Sequence, residues 1–108
     1  MLLTTGSIDV INSNMKATSI MRERISLDDD NFVELVVWKL PDPVAGSGHD
    51  FKYRLALVSK NVCVMRYDNE AGKGDHKYLG EVEIDYAFNG LEQLQRDFWN
   101  DVERWRQR

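Results

Sequence analysis

Two stretches in the first half of the chain carry the plainest strand pattern. NFVELVVWKL at 31–40 is rich in Val, Phe and Trp and is apolar on both faces except at Glu34 and Lys39, which predicts a strand central in a sheet. FKYRLALV at 51–58 alternates, with Phe51, Tyr53, Leu55 and Leu57 facing one way and Lys52 and Arg54 the other, the pattern of a half-buried strand. Pro41 and Pro43 stop the first of these, since proline cannot donate to a ladder, and GSG at 46–48 predicts a mobile loop between them.

The flanking segments extend the sheet. Residues 16–25, KATSIMRERI, suit a first strand with Arg22 and Arg24 on one side and Met21, Glu23 and Ile25 on the other, ended by a turn at DDDN, 28–31. SKN at 59–61 is short enough for a hairpin, so NVCVMRYD should return antiparallel to 51–58. EVEIDYAF at 81–88 alternates again, with Val82, Ile84, Tyr86 and Phe88 inward and Glu81, Glu83 and Asp85 outward. From about Gly90 the period changes to that of a helix: Leu91, Leu94, Phe98, Val102 and Trp105 recur at steps of three and four. Asn89 and Glu92 stand at N-cap and N3 spacing, Glu92 and Arg96 form a favoured i,i+4 pair, and Arg104, Arg106 and Arg108 complement the helix C-terminus.

The pattern predicts an α+β domain in which four to five antiparallel strands are covered on one face by a single C-terminal helix. Residues 1–14 show no clear periodicity, and Met15 opens the regular part, so the expectation is a flexible extension over 1–14 and one domain over 15–108. The uncovered sheet face would carry Lys52, Arg54, Glu81 and Glu83, with Arg22 and Arg24 beside them.

Size and composition fit that picture. A chain of 108 residues supports one core, and its 43% hydrophobic and 30% charged content is that of an ordinary folded domain. The net charge of −4 neither advertises nor forbids nucleic acid, because a local basic groove can sit on an acidic body. Cys63 is the sole cysteine and lies within VCVM, where a small buried residue is expected rather than a nucleophile. With no apolar run of about 20 residues, a membrane span is not expected and a reducing, cytoplasmic setting is.

The chemistry concentrates in RYDNEAGKGDHKY, 66–78. A turn near Lys60 would bring Arg54 opposite Arg66, and two guanidinium groups so close need an anion or a carboxylate such as Asp68 between them. Gly72 and Gly74 permit positive φ, although neither a GxxxxGK[ST] nor a GxGxxG spacing is present. Metal-free RNA cleavage needs a base for the 2′-hydroxyl, an acid for the leaving oxygen and positive charge for the phosphate. His76, oriented by Asp75, with Tyr67 or Tyr78, supplies the proton-transfer types; Arg54, Arg66, Lys73 and Lys77 supply the charge. Two other readings fit the same residues: a solvated hairpin, or a metal site from Asp68, Glu70, Asp75 and His76, with magnesium favoured because oxygens dominate. His49, in GSGHDF, is expected to be exposed.

The order MKATSIMRERI, FVELVVWKLPDPVAGSGHDFKYRLALV, VCVMRYDNEAGKGDHKY and DFWNDVERWR resembles the TumE-type toxins of bacterial toxin–antitoxin pairs over residues 15–106, most specifically in RYDNEAGKGDH. The resemblance implies a cytoplasmic growth inhibitor neutralised by a separate antitoxin protein with a DNA-binding helix-turn-helix. In that family pattern a second histidine follows GDH where this chain has Tyr78. Combined with the residue types, it leads to the expectation of a type II toxin acting by metal-independent RNA cleavage, with no cofactor. The alternatives are a non-enzymatic module that inhibits by binding, through the polar sheet face or through Trp38 and Trp99, and a metal-dependent nuclease.

Overall fold

A computed structural model of the chain describes residues 16–108. The strands are β1 (Thr18–Ser26), β2 (Asn31–Lys39), β3 (Phe51–Ser59), β4 (Val62–Glu70), β5 (Gly74–Leu79) and β6 (Val82–Asp85), followed by one helix, α1 (Leu91–Arg106). Each strand pairs antiparallel with the next, giving a six-stranded meander in chain order. The class is the expected α+β, with six strands rather than four to five. The expected extension over 1–14 lies outside the described residues.

The apolar alternation sets which face is covered. Val33, Leu35 and Val37 of β2, Tyr53, Leu55 and Leu57 of β3, and Met65 and Tyr67 of β4 are buried beneath Leu94, Phe98 and Val102 of α1. Met21 and Ile25 pack at one margin of this core, and Leu91, Trp99 and Trp105 complete the helix side. Trp38 points to the opposite face, in register with Lys52, and is half-buried.

Local chemistry explains most of the connections. The DDDN turn forms as expected: one oxygen of Asp28 accepts from the backbone N–H of Asp30 at 2.9 Å and of Asn31 at 3.0 Å. Bonding to the Asn31 side chain holds the Asp28 carboxyl below the usual range. The β3–β4 hairpin closes through two residues, Lys60 (φ 49°) and Asn61 (φ 68°), the pair of left-handed conformations that a type I′ turn requires.

Five expectations change. Residues 74–79, where the pattern predicts no strand, form one, and the strand expected over 81–88 stops at Asp85. The helix begins after Gly90, at φ 100° with no side-chain cap bond, while Asn89 donates to the carbonyl of Ala87 instead. Cys63 is exposed, because a bulge between Leu57 and Val58 disrupts the alternation beside it. The loop after β2 is docked: Gly72 N–H donates to Ala45 O at 2.7 Å, and a Cβ on Gly74 (φ 78°) would meet Gly46 O at 2.8 Å, so this crossing needs glycine.

Candidate functional site

The bulge and the two-residue turn set the register of β3 on β4, and that register decides which charges meet. Arg54 lies opposite Asp68, not Arg66; Arg66 lies opposite Ala56. The expected Arg54–Arg66 pair is therefore displaced by one two-residue step, and the two arginines are diagonal neighbours on the uncovered face, flanking Asp68. The pairing continues through β5 and β6, so two rows cross the open face. One runs Arg54, Asp68, His76, Asp85; the next runs Ala56, Arg66, Tyr78, Glu83.

Electrostatic neighbours in these rows are close. Arg66 stacks on the Tyr78 ring at 4.3 Å. Its Nε is 2.9 Å from Asp68 Oδ2, but the N–H is not aimed along that line, so the contact is ionic and leaves a buried donor without a hydrogen bond among the described residues. Burial pushes the Asp68 carboxyl above the usual range, against the pull of Arg66. Burial also lowers the Lys52 ammonium, against the attraction of Asp68, and Lys52 donates to the carbonyl of Asn69. Among the described residues Arg54 has one ionic contact, with Glu34 at 3.8 Å, a carboxylate that Arg24 shares at 3.7 Å.

His76 is half-buried at the end of the first row. Its Nδ1 is 3.2 Å from the Gly74 carbonyl, which can only accept, so this contact is a hydrogen bond when Nδ1 carries hydrogen. Nε2 faces Asp85 at 3.3 Å and Glu83 at 3.5 Å. Glu83, which the sequence places on the uncovered face but not among the expected site residues, joins the site. Its Oε2 also accepts from the Tyr78 hydroxyl at 3.0 Å and from Lys73 at 3.2 Å, so three of the expected site residues converge on one carboxylate oxygen. Bonds to Tyr78 and Glu83 hold the Lys73 ammonium firmly charged, and bonds from Lys73 and Tyr78 keep Glu83 below the usual carboxyl range. The signal that could have found Glu83 is the Gly80–Glu81 turn, whose two residues place Glu83 across from Tyr78.

The remaining expected residues point through the sheet to the helix side. Asp75 does not orient His76; it accepts from Ser47 at 2.8 Å, His49 Nε2 at 2.7 Å and Tyr53 at 2.8 Å. His49, expected to be exposed, stacks on Phe88 at 3.7 Å, and its Nδ1 accepts from the Phe51 N–H at 3.1 Å, so both ring nitrogens are occupied. Burial, then the Asp75 bond, raises the Tyr53 hydroxyl far above its ordinary value. Tyr67 has no exposed surface; its hydroxyl donates to Asp101 at 2.5 Å, and Lys77 and Arg104 reach the same carboxylate at 3.0 Å and 2.5 Å. Burial pushes the Tyr67 hydroxyl up as well. For Asp101 burial acts upward too, but the bonds from Tyr67, Arg104 and Lys77 prevail and hold the carboxyl below the usual range.

Arg54, Arg66, His76 and Tyr78 thus share the open face with Lys73 at its rim, whereas Tyr67, Asp75 and Lys77 tie the sheet to the helix and the 40–50 loop. Asp68, Glu70, Asp75 and His76 are split in the same way, and among the described residues no three His, Cys, Asp or Glu side chains converge as metal ligands. No helix among the described residues is long and apolar enough to cross a membrane.

Among the described residues, fold and face define a small single-sheet α+β protein with one sheet face under a helix and the other a charged, aromatic-bearing surface. The chain belongs to the TumE toxin family: the family model described as Toxin TumE matches residues 6–106. That match begins before Met15, so part of the front stretch set apart as an extension falls inside the family. Comparison with curated proteins and with solved structures finds no match.

Proposed function

We infer that this chain is the toxin of a type II toxin–antitoxin pair, acting in the cytoplasm by metal-independent RNA cleavage on the open sheet face. The observation that carries the reading is the register. It sets His76 beside Tyr78, Lys73 and Arg66, the last with an N–H that has no hydrogen-bond partner among the described residues.

Arg66 and Arg54 hold the scissile phosphate, Arg66 through its fork and Arg54 by charge. His76 Nε2, acting as the base, takes the proton of the ribose 2′-hydroxyl as that oxygen attacks phosphorus, forming the 2′-O–P bond. The P–O5′ bond breaks, and the Tyr78 hydroxyl, with the Lys73 ammonium beside it, protonates the departing oxygen. The products are a 2′,3′-cyclic phosphate and a 5′-hydroxyl end. Tyr67, Asp75 and Lys77 take no direct part; they hold β4 and β5 against the helix and the loop. The family membership supports the toxin role and a neutralising antitoxin, for which a helix-turn-helix protein is the expected partner.

Incubating the purified chain with total RNA and with tRNA, with and without EDTA, tests the reading. Fragments carrying cyclic phosphate ends in both conditions are expected. Intact RNA in both, from a chain that still arrests growth, would remove cleavage and leave inhibition by binding.

A further inference from the structure

The β6 edge of the sheet is finished differently from its neighbours. All four residues of Val82–Asp85 are exposed, and Val82 and Ile84 retain 61% and 36% of their surface although they lie on the helix side, because α1 does not extend over them. The two-residue turn makes Leu79 and Val82 the closing pair, and Tyr86 N–H donates to Asp75 O at 3.1 Å, in the same phase. By the alternation of antiparallel pairs, Val82 and Ile84 spend their backbone groups on β5, whereas Glu83 and Asp85 turn theirs outward. Among the described residues no hydrogen bond reaches those outward groups.

Charge selects the occupant. Two copies of the chain pairing through this edge about Ile84 would set Glu83 against the other copy's Asp85, and like charges directly opposed are destabilising. Asp85 can take a cation beside its 3.3 Å contact with His76, since its side chain is 98% exposed. We propose that β6 is a docking edge for an extended segment of a partner protein in which apolar residues, packing on Val82 and Ile84, alternate with lysine or arginine, facing Glu83 and Asp85. Such a segment adds a seventh strand by main-chain hydrogen bonds and takes its specificity from alternate side chains. It would run alongside His76, whose Nε2 is 3.3 Å from Asp85. The docking stands independently of the reaction; that it silences the protein rests on the function proposed above.

The test uses the full chain, 15N-labelled, and a synthetic peptide of about ten residues alternating lysine with valine and threonine, beside a twin with glutamate for lysine. The expected result is a saturable shift of the Glu83 and Asp85 amides by the lysine peptide. The glutamate twin should bind at least about ten-fold more weakly, and Asp85→Lys should lower affinity for the lysine peptide by a similar factor. Ile84→Thr should weaken it too, through the other face. Because both side chains are exposed, neither substitution threatens the core. Equal binding of the twins, indifference to Asp85→Lys, or shifts that miss β6 would overturn the proposal, whatever the chain does to RNA.

Discussion

Replacing Tyr67 by Phe separates support from chemistry most cleanly. The ring stays in the core between Phe98 and Tyr86, at 5.6 Å and 5.1 Å, and only the hydroxyl that donates to Asp101 is lost. A hydrogen bond to a charged group is worth about 1.5–3 kcal/mol. Asp101 keeps Arg104 and Lys77, so a loss of about 2 kcal/mol is expected, which in a domain of this size lowers Tm by roughly 8–16 °C. The pH dependence follows from Asp101. Its folded-state carboxyl titrates below its unfolded value, so the stabilisation is present above the unfolded value and is lost as pH falls through the folded one. The difference between wild type and Tyr67→Phe in urea unfolding should therefore be full at neutral pH and shrink as pH is lowered below about 4. A cycle with Asp101→Asn should show strong coupling between the two positions. At a temperature where the variant is folded, growth arrest should persist. Unchanged stability together with abolished arrest would refute the reasoning and return Tyr67 to the reaction.

Other changes should behave as follows. His49→Ala removes a donor to buried Asp75 and the stack on Phe88; a loss of about 1.5–3 kcal/mol is expected, with faster amide exchange at Leu40 and Ser47, whose N–H groups are bonded within the loop. Gly74→Ala forces a Cβ to 2.8 Å from Gly46 O at φ 78°, so a cost of roughly 1–3 kcal/mol should appear in urea unfolding.

How much of this was legible in the sequence depends on how each segment meets its neighbours. The β2 and β3 strands and the helix stripe at Leu94, Phe98 and Val102 could be read because their inward positions are filled by apolar side chains. β5 could not: its helix-side residues include Asp75 and Lys77, which serve buried polar partners rather than an apolar core, so the strand has no hydrophobic alternation. Without β5 the Gly80–Glu81 hairpin could not be seen, so the pattern puts Glu83 on the open face but not opposite Tyr78. The Arg54–Arg66 pairing failed for a different reason. A bulge and a turn one residue shorter than assumed each move the register, and neither leaves a mark in composition. The helix stripe survived because it needs only period, whereas the cap depended on a single residue, and Gly90 supplied the turn by backbone conformation alone. The stretch 66–78 did prove to hold His76, Tyr78, Arg66 and Lys73 near one another, but its alternate residues belong to the other side of the sheet.

The central claim is that His76 is the base of an RNA-cleaving face. The most direct measurement is the cleavage rate of RNA, in EDTA, by His76→Gln against wild type, with matched unfolding curves to show that both are folded. Loss of a positioned general base predicts a rate lower by about 10²–10⁴-fold with RNA still bound. A variant that cleaves as fast as wild type would contradict the account.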